Sequence, residues 1–216
     1  MQRSAAARAE VLPSLLAQAY SILKVMKRIA IDMDEVMADT MQRCLDLYNS
    51  DFELALTPAH FNGRSLFETI ELDHRAHVAS YFQREDFFAD IEVMKDSQSV
   101  VRALSESYEV FIVSAAMEVP CSFAPKYEWL QTHFPFIPSS RIVFCGDKSI
   151  VCADYLIDDN IRQLTAFRGE GIIFTAPHNL RETRFRRVSN WNEVRNLFLP
   201  ESDRSLIAGR WSDNPS

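Results

Sequence analysis

Two aspartates one residue apart end a short apolar run, Lys27-Arg28-Ile29-Ala30-Ile31-Asp32-Met33-Asp34. Side chains alternate along a strand, so Asp32 and Asp34 leave it on the same side, at the carboxyl end where open α/β sheets hold ligands. One such pair could be a solvated strand exit. A second pair argues against that: Tyr155-Leu156-Ile157 also stops at adjacent carboxylates, Asp158 and Asp159. Four acids at two strand ends, with no basic cluster beside them, repel one another unless a cation sits between them, and hard oxygen ligands favour Mg²⁺.

Two more polar residues close apolar runs. Ser114 follows Tyr108-Glu109-Val110-Phe111-Ile112-Val113, and Lys148 follows Arg141-Ile142-Val143-Phe144-Cys145-Gly146-Asp147. Alone, the serine reads as a turn residue and the lysine as a surface residue. In the order Asp-x-Asp, Ser, Lys, Asp-Asp, each after an apolar run, they supply what phosphoryl transfer from a monoester requires.

Strands must position these groups. Apolar runs at Ile29 to Ile31, Val110 to Val113, Ile142 to Phe144, Tyr155 to Ile157 and Ile172 to Phe174 alternate with helical spacing at Thr40 to Tyr48, Ser97 to Glu106, Pro125 to His133 and Asn192 to Phe198, with Ser97 and Asn192 at expected caps. The expected fold is α/β: a Rossmann-like parallel sheet with helices on both faces and a small helical cap inserted after the first strand. The core spans 26–40 and 95–200 and the cap 41–94. A structureless loop of that length is improbable, and the insert carries many aromatics, among them Phe61, Phe67, Tyr81, Phe82, Phe87 and Phe88.

The chain has 216 residues, enough for one full core and an insert. Its 47% hydrophobic and 25% charged residues are ordinary for a soluble globular protein, and its net charge of −7 argues against binding nucleic acid polymers. No apolar run reaches the length of a membrane span. Cys44, Cys121, Cys145 and Cys152 show no C-x-x-C spacing, which reads as a reducing, cytoplasmic setting without disulfides or zinc. Residues 1–25 carry Arg3, Arg8 and Lys24 against Glu10 and faintly suggest an organellar presequence, but the preferred expectation is a dispensable extension ahead of Met26-Lys27-Arg28. Residues 201–216 read as a tail.

This ordered set resembles the haloacid dehalogenase superfamily of phosphatases and, within it, the 5′(3′)-deoxyribonucleotidase family. The resemblance runs from about Lys27 to Phe198. It is carried by Asp32-Met33-Asp34-Glu35-Val36-Met37-Ala38-Asp39, by Lys126-Tyr127-Glu128-Trp129-Leu130 with His133-Phe134, by Asp147-Lys148-Ser149-Ile150-Val151 through Asp159, and by Ile173-Phe174-Thr175-Ala176-Pro177-His178-Asn179. It implies that Asp32 attacks phosphorus to form an aspartyl-phosphate, and that Asp34 protonates the leaving oxygen and then takes a proton from the hydrolytic water. Its further implications are a Mg²⁺ site completed by Asp158, Asp159 and the Asp34 carbonyl, Ser114 donating to a phosphoryl oxygen, and Lys148 offsetting phosphoryl charge.

The substrate so implied is a (deoxy)ribonucleoside monophosphate. The alternatives are another small phosphate ester or a non-catalytic phospho-ligand binder of the same fold. A homodimer is compatible with this reading, whereas a membrane or a nucleic acid polymer is not an expected partner. The chain departs from the family in having Glu35 where glycine is usual, which predicts a turn without strongly left-handed backbone. Around the base pocket, Thr40 and Gly63-Arg64-Ser65 stand where animal members carry aromatics, and Phe82 keeps one aromatic position. Thr40, Arg64, Ser65 and Phe82 are thus the candidate base-side residues, with Arg64 otherwise a solvated charge.

Overall fold

The structure, a computed structural model, describes residues 26–201. The expectations for residues 1–25 and for nearly all of the tail lie outside them. Six strands form one parallel sheet: β1 (Arg28–Ile31), β2 (Glu109–Ser114), β3 (Ile142–Phe144), β4 (Tyr155–Asp158), β5 (Glu170–Phe174) and β6 (Arg186–Val188), in the order β3-β2-β1-β4-β5-β6. The connections reverse direction on either side of β1 and β4, and the crevice at such a switch point is where this topology holds ligands. Asp32 and the Asp158-Asp159 pair stand at its lip.

Why β1 is central follows from its sequence. Ile29, Ala30 and Ile31 are wholly buried and face alternately. Ile29 and Ile31 join Val100, Leu104, Trp191 and Val194 on one face, while Ala30 joins Val113, Leu156, Leu164, Phe167 and Ile173 on the other. Helices α5 (Ser97–Ser107) and α8 (Trp191–Phe198) cover the first face, and α7 (Ile161–Ala166) packs on the second. Fully burying one such aliphatic side chain contributes roughly 1.5–3 kcal/mol, so a strand apolar on both faces is held at the middle of the sheet.

Between β1 and β2 lie α1 (Thr40–Phe52), α2 (Leu66–Thr69), α3 (Arg75–Tyr81) and α4 (Glu85–Ala89), with single turns of 3₁₀-helix between them. The remaining helix, α6 (Phe123–His133), follows β2. The insert does not keep a separate core: Phe61, Leu66, Val78, Tyr81, Phe87 and Phe88 are buried in the same cluster as Ile29 and Ile31. Its return is sewn to its departure by main-chain bonds, Asp39 N to Glu92 O at 2.9 Å and Met94 N to Met37 O at 2.8 Å. The Trp129 indole, donating to Ile91 O at 2.7 Å, ties the same stem to α6.

A second attachment joins insert to core far from the stem. Gly63 has φ +81, and its N–H donates to Pro177 O at 3.0 Å. The left-handed backbone angle favours glycine there, and a Cβ would lie 2.7 Å from Cγ of the exposed Arg181 side chain, which would have to shift. Gly63→Ala is expected to destabilise the protein by about 1–2 kcal/mol in urea unfolding, and an unchanged midpoint would contradict this role.

Several expected boundaries moved. Ser97 is the first, buried residue of α5, and the cap position belongs to Asp96 in a left-handed conformation. Asn192 lies inside α8, which is capped instead by Asn190 accepting from Glu193 N at 3.0 Å. The strand β6 and the helix α7 had no counterpart among the expected elements. Each is short, and β6 holds two arginines and a single buried valine.

Candidate active site

The two strand ends place three carboxylates together. Asp32, Asp158 and Asp159 are buried, and one oxygen from each lies within 4.8 Å of the others. Asp32 extends the sheet ladder by donating its N–H to Ile157 O at 2.9 Å. Lys148, 1% exposed, sets its Nζ 2.6 Å from Asp32 Oδ1 and 2.6 Å from Asp158 Oδ2. Its backbone N–H is fixed by Gln163 Oε1 at 3.0 Å. Asn179 holds the Asp159 carbonyl at 2.9 Å and the Phe174 carbonyl at 2.8 Å, while His178 Nε2 lies 3.3 Å from Asp159 Oδ2.

Burial, with Asp158 and Asp34 adding and Lys148 opposing, raises the Asp32 carboxyl above its ordinary range. Burial, then Asp158 and Asp32, raises Asp159 well above its own. Burial works against the Lys148 ammonium, but the Asp32 and Asp158 carboxylates outweigh it and keep it charged. Although Lys148 Nζ is close to Asp32 Oδ1, the approach lacks hydrogen-bond geometry, and that oxygen is buried without a hydrogen-bond partner. Two buried carboxyls pushed toward protonation and an all-oxygen donor set form a site that fits a hard divalent cation.

Asp34 faces the same cavity from the turn after β1. Its Oδ2 accepts from Lys126 Nζ at 2.5 Å and its Oδ1 from the Thr40 hydroxyl at 3.1 Å. Lys126 is 4% exposed, lies 4.8 Å from the centre of the Phe88 ring, and also donates to Ser114 Oγ at 3.3 Å. Lys126 and Phe88 had no site role at the level of sequence, although Lys126 opens one of the motifs quoted above. A lysine on the inner face of a helix was the available signal.

Glu35 overturns the expectation of an ordinary backbone: its φ is 60, in the left-handed region. The physical reason is the tight turn around it, in which Glu35 N donates to Ala38 O at 2.9 Å and Ala38 N to Met33 O at 2.9 Å. The strain, of order 1–3 kcal/mol, is offset by the Glu35 carboxyl oxygen that accepts from Met41 N at the start of α1, beside Asp39 accepting from Gln42 N at 3.1 Å.

Burial first, then Asp39, raises the Glu35 carboxyl to about 8, with Met41 N–H opposing. The folded protein therefore holds a proton that the unfolded chain releases above the usual 4.5. That stabilisation is complete below this pH and is lost as pH rises to about 8. In chelator, unfolding free energy should fall across this window, and Glu35→Gln should shrink the fall by a few kcal/mol at most. Identical pH slopes for the two proteins would contradict the assignment.

The cavity is lined by Asp32, Asp34, Lys148, Asp158 and Asp159 at its floor and by Thr40, Phe82, Phe88, Ala115, Ala116 and Val119 above. Glu118, Asn160, Gln163 and Lys126 complete it. Two base-side candidates, Thr40 and Phe82, face this space. Arg64 and Ser65 do not line it: Arg64 is exposed, and Ser65 caps α2 in a reciprocal pair with Glu68. Ser114 is fully buried behind the lining, with its hydroxyl accepting from Lys126.

Residues 25–202 match the family model described as 5′ nucleotidase, deoxy (pyrimidine), cytosolic type C protein. The 5′(3′)-deoxyribonucleotidase of Bacillus subtilis (strain 168) is 38% identical over 173 residues, spanning 80% of this chain and 99% of that one. A Staphylococcus aureus (strain Mu50) protein, given the same name provisionally, is 47% identical over 173 residues, covering 80% of this chain and 96% of its own. Among solved structures, a conserved haloacid dehalogenase-like protein from Agrobacterium tumefaciens aligns with a TM-score of 0.49 and 13% identity, over 80% of this chain and 97% of that one.

Proposed function

The chain belongs to the 5′ nucleotidase, deoxy (pyrimidine), cytosolic type C protein family, and from that premise we propose how its own residues release phosphate from (deoxy)ribonucleoside monophosphates. The protein is a phosphomonoesterase of the 5′(3′)-deoxyribonucleotidase kind. One observation carries the reading: a buried carboxylate, Asp32, shares a cavity with a second carboxylate, Asp34, that is held separately by its own lysine.

An Asp32 carboxylate oxygen attacks phosphorus as the ester P–O bond breaks. The departing sugar oxygen keeps the bonding pair and takes a proton from the Asp34 carboxyl. Asp34, now a carboxylate, accepts a proton from the water that attacks the aspartyl-phosphate, and Asp32 is restored as phosphate departs. Lys148 keeps a positive charge beside Asp32 through both steps and opposes the charge gathering on the phosphoryl oxygens. Lys126 fixes Asp34 and the Ser114 hydroxyl in one place. Mg²⁺, held by Asp32, Asp159 and the Asp34 carbonyl with Asp158 in support, supplies Lewis acidity and neutralises phosphoryl charge when bound.

The insert at 41–94 closes over the cavity as a cap, and Phe82 and Phe88 meet the nucleoside. The cytosolic character of the family supports a cytoplasmic setting, and among the described residues no helix is long and apolar enough to cross a membrane. The test is phosphate release over a panel of nucleoside monophosphates and sugar phosphates, with Mg²⁺ and with chelator. Turnover of nucleotides that stops in chelator is expected. Turnover confined to sugar phosphates would overturn the substrate class.

A further inference from the structure

We infer that Thr40 is a positioning residue for proton transfer, holding the Asp34 carboxyl in the orientation that serves the leaving oxygen. This deepens the nucleotidase reading and rests on it. Thr40 opens α1, is 9% exposed, and lines the cavity beside Asp34. Its Oγ1 lies 3.1 Å from Asp34 Oδ1, and Lys126 Nζ holds Oδ2, so the carboxyl group is gripped at both oxygens and cannot swing about its terminal bond without losing a partner.

The two grips differ in kind. A lysine ammonium carries three donors and no acceptor, so it favours an unprotonated Oδ2 and leaves Oδ1 to carry the transferable proton. A hydroxyl both donates and accepts. As a donor to Oδ1 at 3.1 Å, Thr40 occupies one lone pair of that oxygen and leaves its other side to face the leaving oxygen, so this grip need not rearrange between the half-reactions.

The anchor beneath Thr40 is firm. Its own N–H donates to Ala38 O at 3.0 Å, and the next two N–H groups of α1 are taken by carboxyl oxygens of Glu35 and Asp39. Those three bonds fix the first turn of the helix against the turn that carries Asp34. The β-branched side chain adds a stiff χ1, so the hydroxyl is presented from one direction.

The test separates proton delivery from everything else by varying the leaving group. A sugar alkoxide needs a proton to depart, whereas p-nitrophenolate leaves without one. The ratio kcat/KM reports events up to loss of the alcohol, before the aspartyl-phosphate is hydrolysed. Wild type, Thr40→Val and Thr40→Ser are compared on a deoxyribonucleoside 5′-monophosphate, on glycerol 3-phosphate and on p-nitrophenyl phosphate, with thermal melts of each protein.

Thr40→Val, which keeps shape and loses the hydroxyl, should lower kcat/KM on the alkyl esters at least about tenfold and on the aryl ester by less than about threefold. Thr40→Ser should recover most of the alkyl activity. Equal losses of kcat/KM on alkyl and aryl esters would overturn the positioning role and leave Thr40 as a packing or binding residue. A wild type active on glycerol 3-phosphate but on no nucleotide would overturn the substrate class, while the contrast between alkyl and aryl esters would still judge Thr40.

Discussion

Replacing Asp32 by asparagine should reduce phosphate release from nucleoside monophosphates by roughly 10⁴-fold or more, because the amide keeps the shape of the side chain and cannot attack phosphorus. The fold should survive the change. Burial already pushes the Asp32 carboxyl toward its neutral form, so a neutral amide costs little there, and Lys148 keeps Asp158 as its other partner. The melting temperature should thus hold or rise while turnover disappears, a combination that unfolding cannot produce. Radiolabelled phosphate trapped on wild-type protein by acid quench, and absent from Asp32→Asn, would identify the covalent step directly. Turnover within tenfold of wild type would exclude Asp32 as nucleophile.

Lys148→Met should damage both stability and rate. The ammonium sits between Asp32 and Asp158 at 2.6 Å from each, and the side chain is 1% exposed. Methionine fills much of the same volume but leaves two buried carboxylates facing each other, and breaking a buried ion pair from one side costs about 3–5 kcal/mol unless a proton is taken up. Chemistry should suffer separately. Removing one preorganised partner of a developing anion typically costs about 2.7–4 kcal/mol, so kcat/KM measured on protein shown to be folded by circular dichroism should fall by about 10²–10³. An unchanged melting temperature together with unchanged kcat/KM would remove Lys148 from the phosphate site.

The parts of this site visible in the sequence are those set by a single period. A strand such as Ile29 to Ile31, buried on both faces, must be apolar without a break, so the charge that ends it is conspicuous, and the same holds for Tyr155 to Ile157 before Asp158. Ser114, the last residue of β2, follows from the same rule, whereas Lys148 stands beyond the end of β3 in a 3₁₀ turn. What stayed hidden depends on contacts between distant segments. Lys126 meets Asp34 across 92 positions, and its place on the inner face of its helix does not say which group it meets. Glu35 was misjudged because the usual association of left-handed backbone with glycine takes no account of a side chain that repays the strain by binding Met41 N–H. The strand β6 escaped notice because it is three residues long and shows one apolar side chain to the core. Arg64 and Ser65 were placed by resemblance to a pocket lined elsewhere with aromatics, while here the local sequence Ser65 to Glu68 spends its polar groups on capping a helix.

The seat of the insert on the core at Gly63 bears on how these proteins can be recombined. The contact joins a main-chain N–H to the Pro177 carbonyl at a position whose left-handed backbone favours glycine. It therefore places no demand on the chemistry of Arg64 or Ser65 and a strong preference on one residue. A chimera that takes residues 41–94 from a relative should keep this docking whatever substitutions the donor carries on its outer face, provided that a glycine arrives opposite Pro177. Without it, the transplanted segment would lose the main-chain link to Pro177, next in the chain to the His178 and Asn179 that hold Asp159, and a substrate preference moved between relatives would arrive with a disturbed phosphate site.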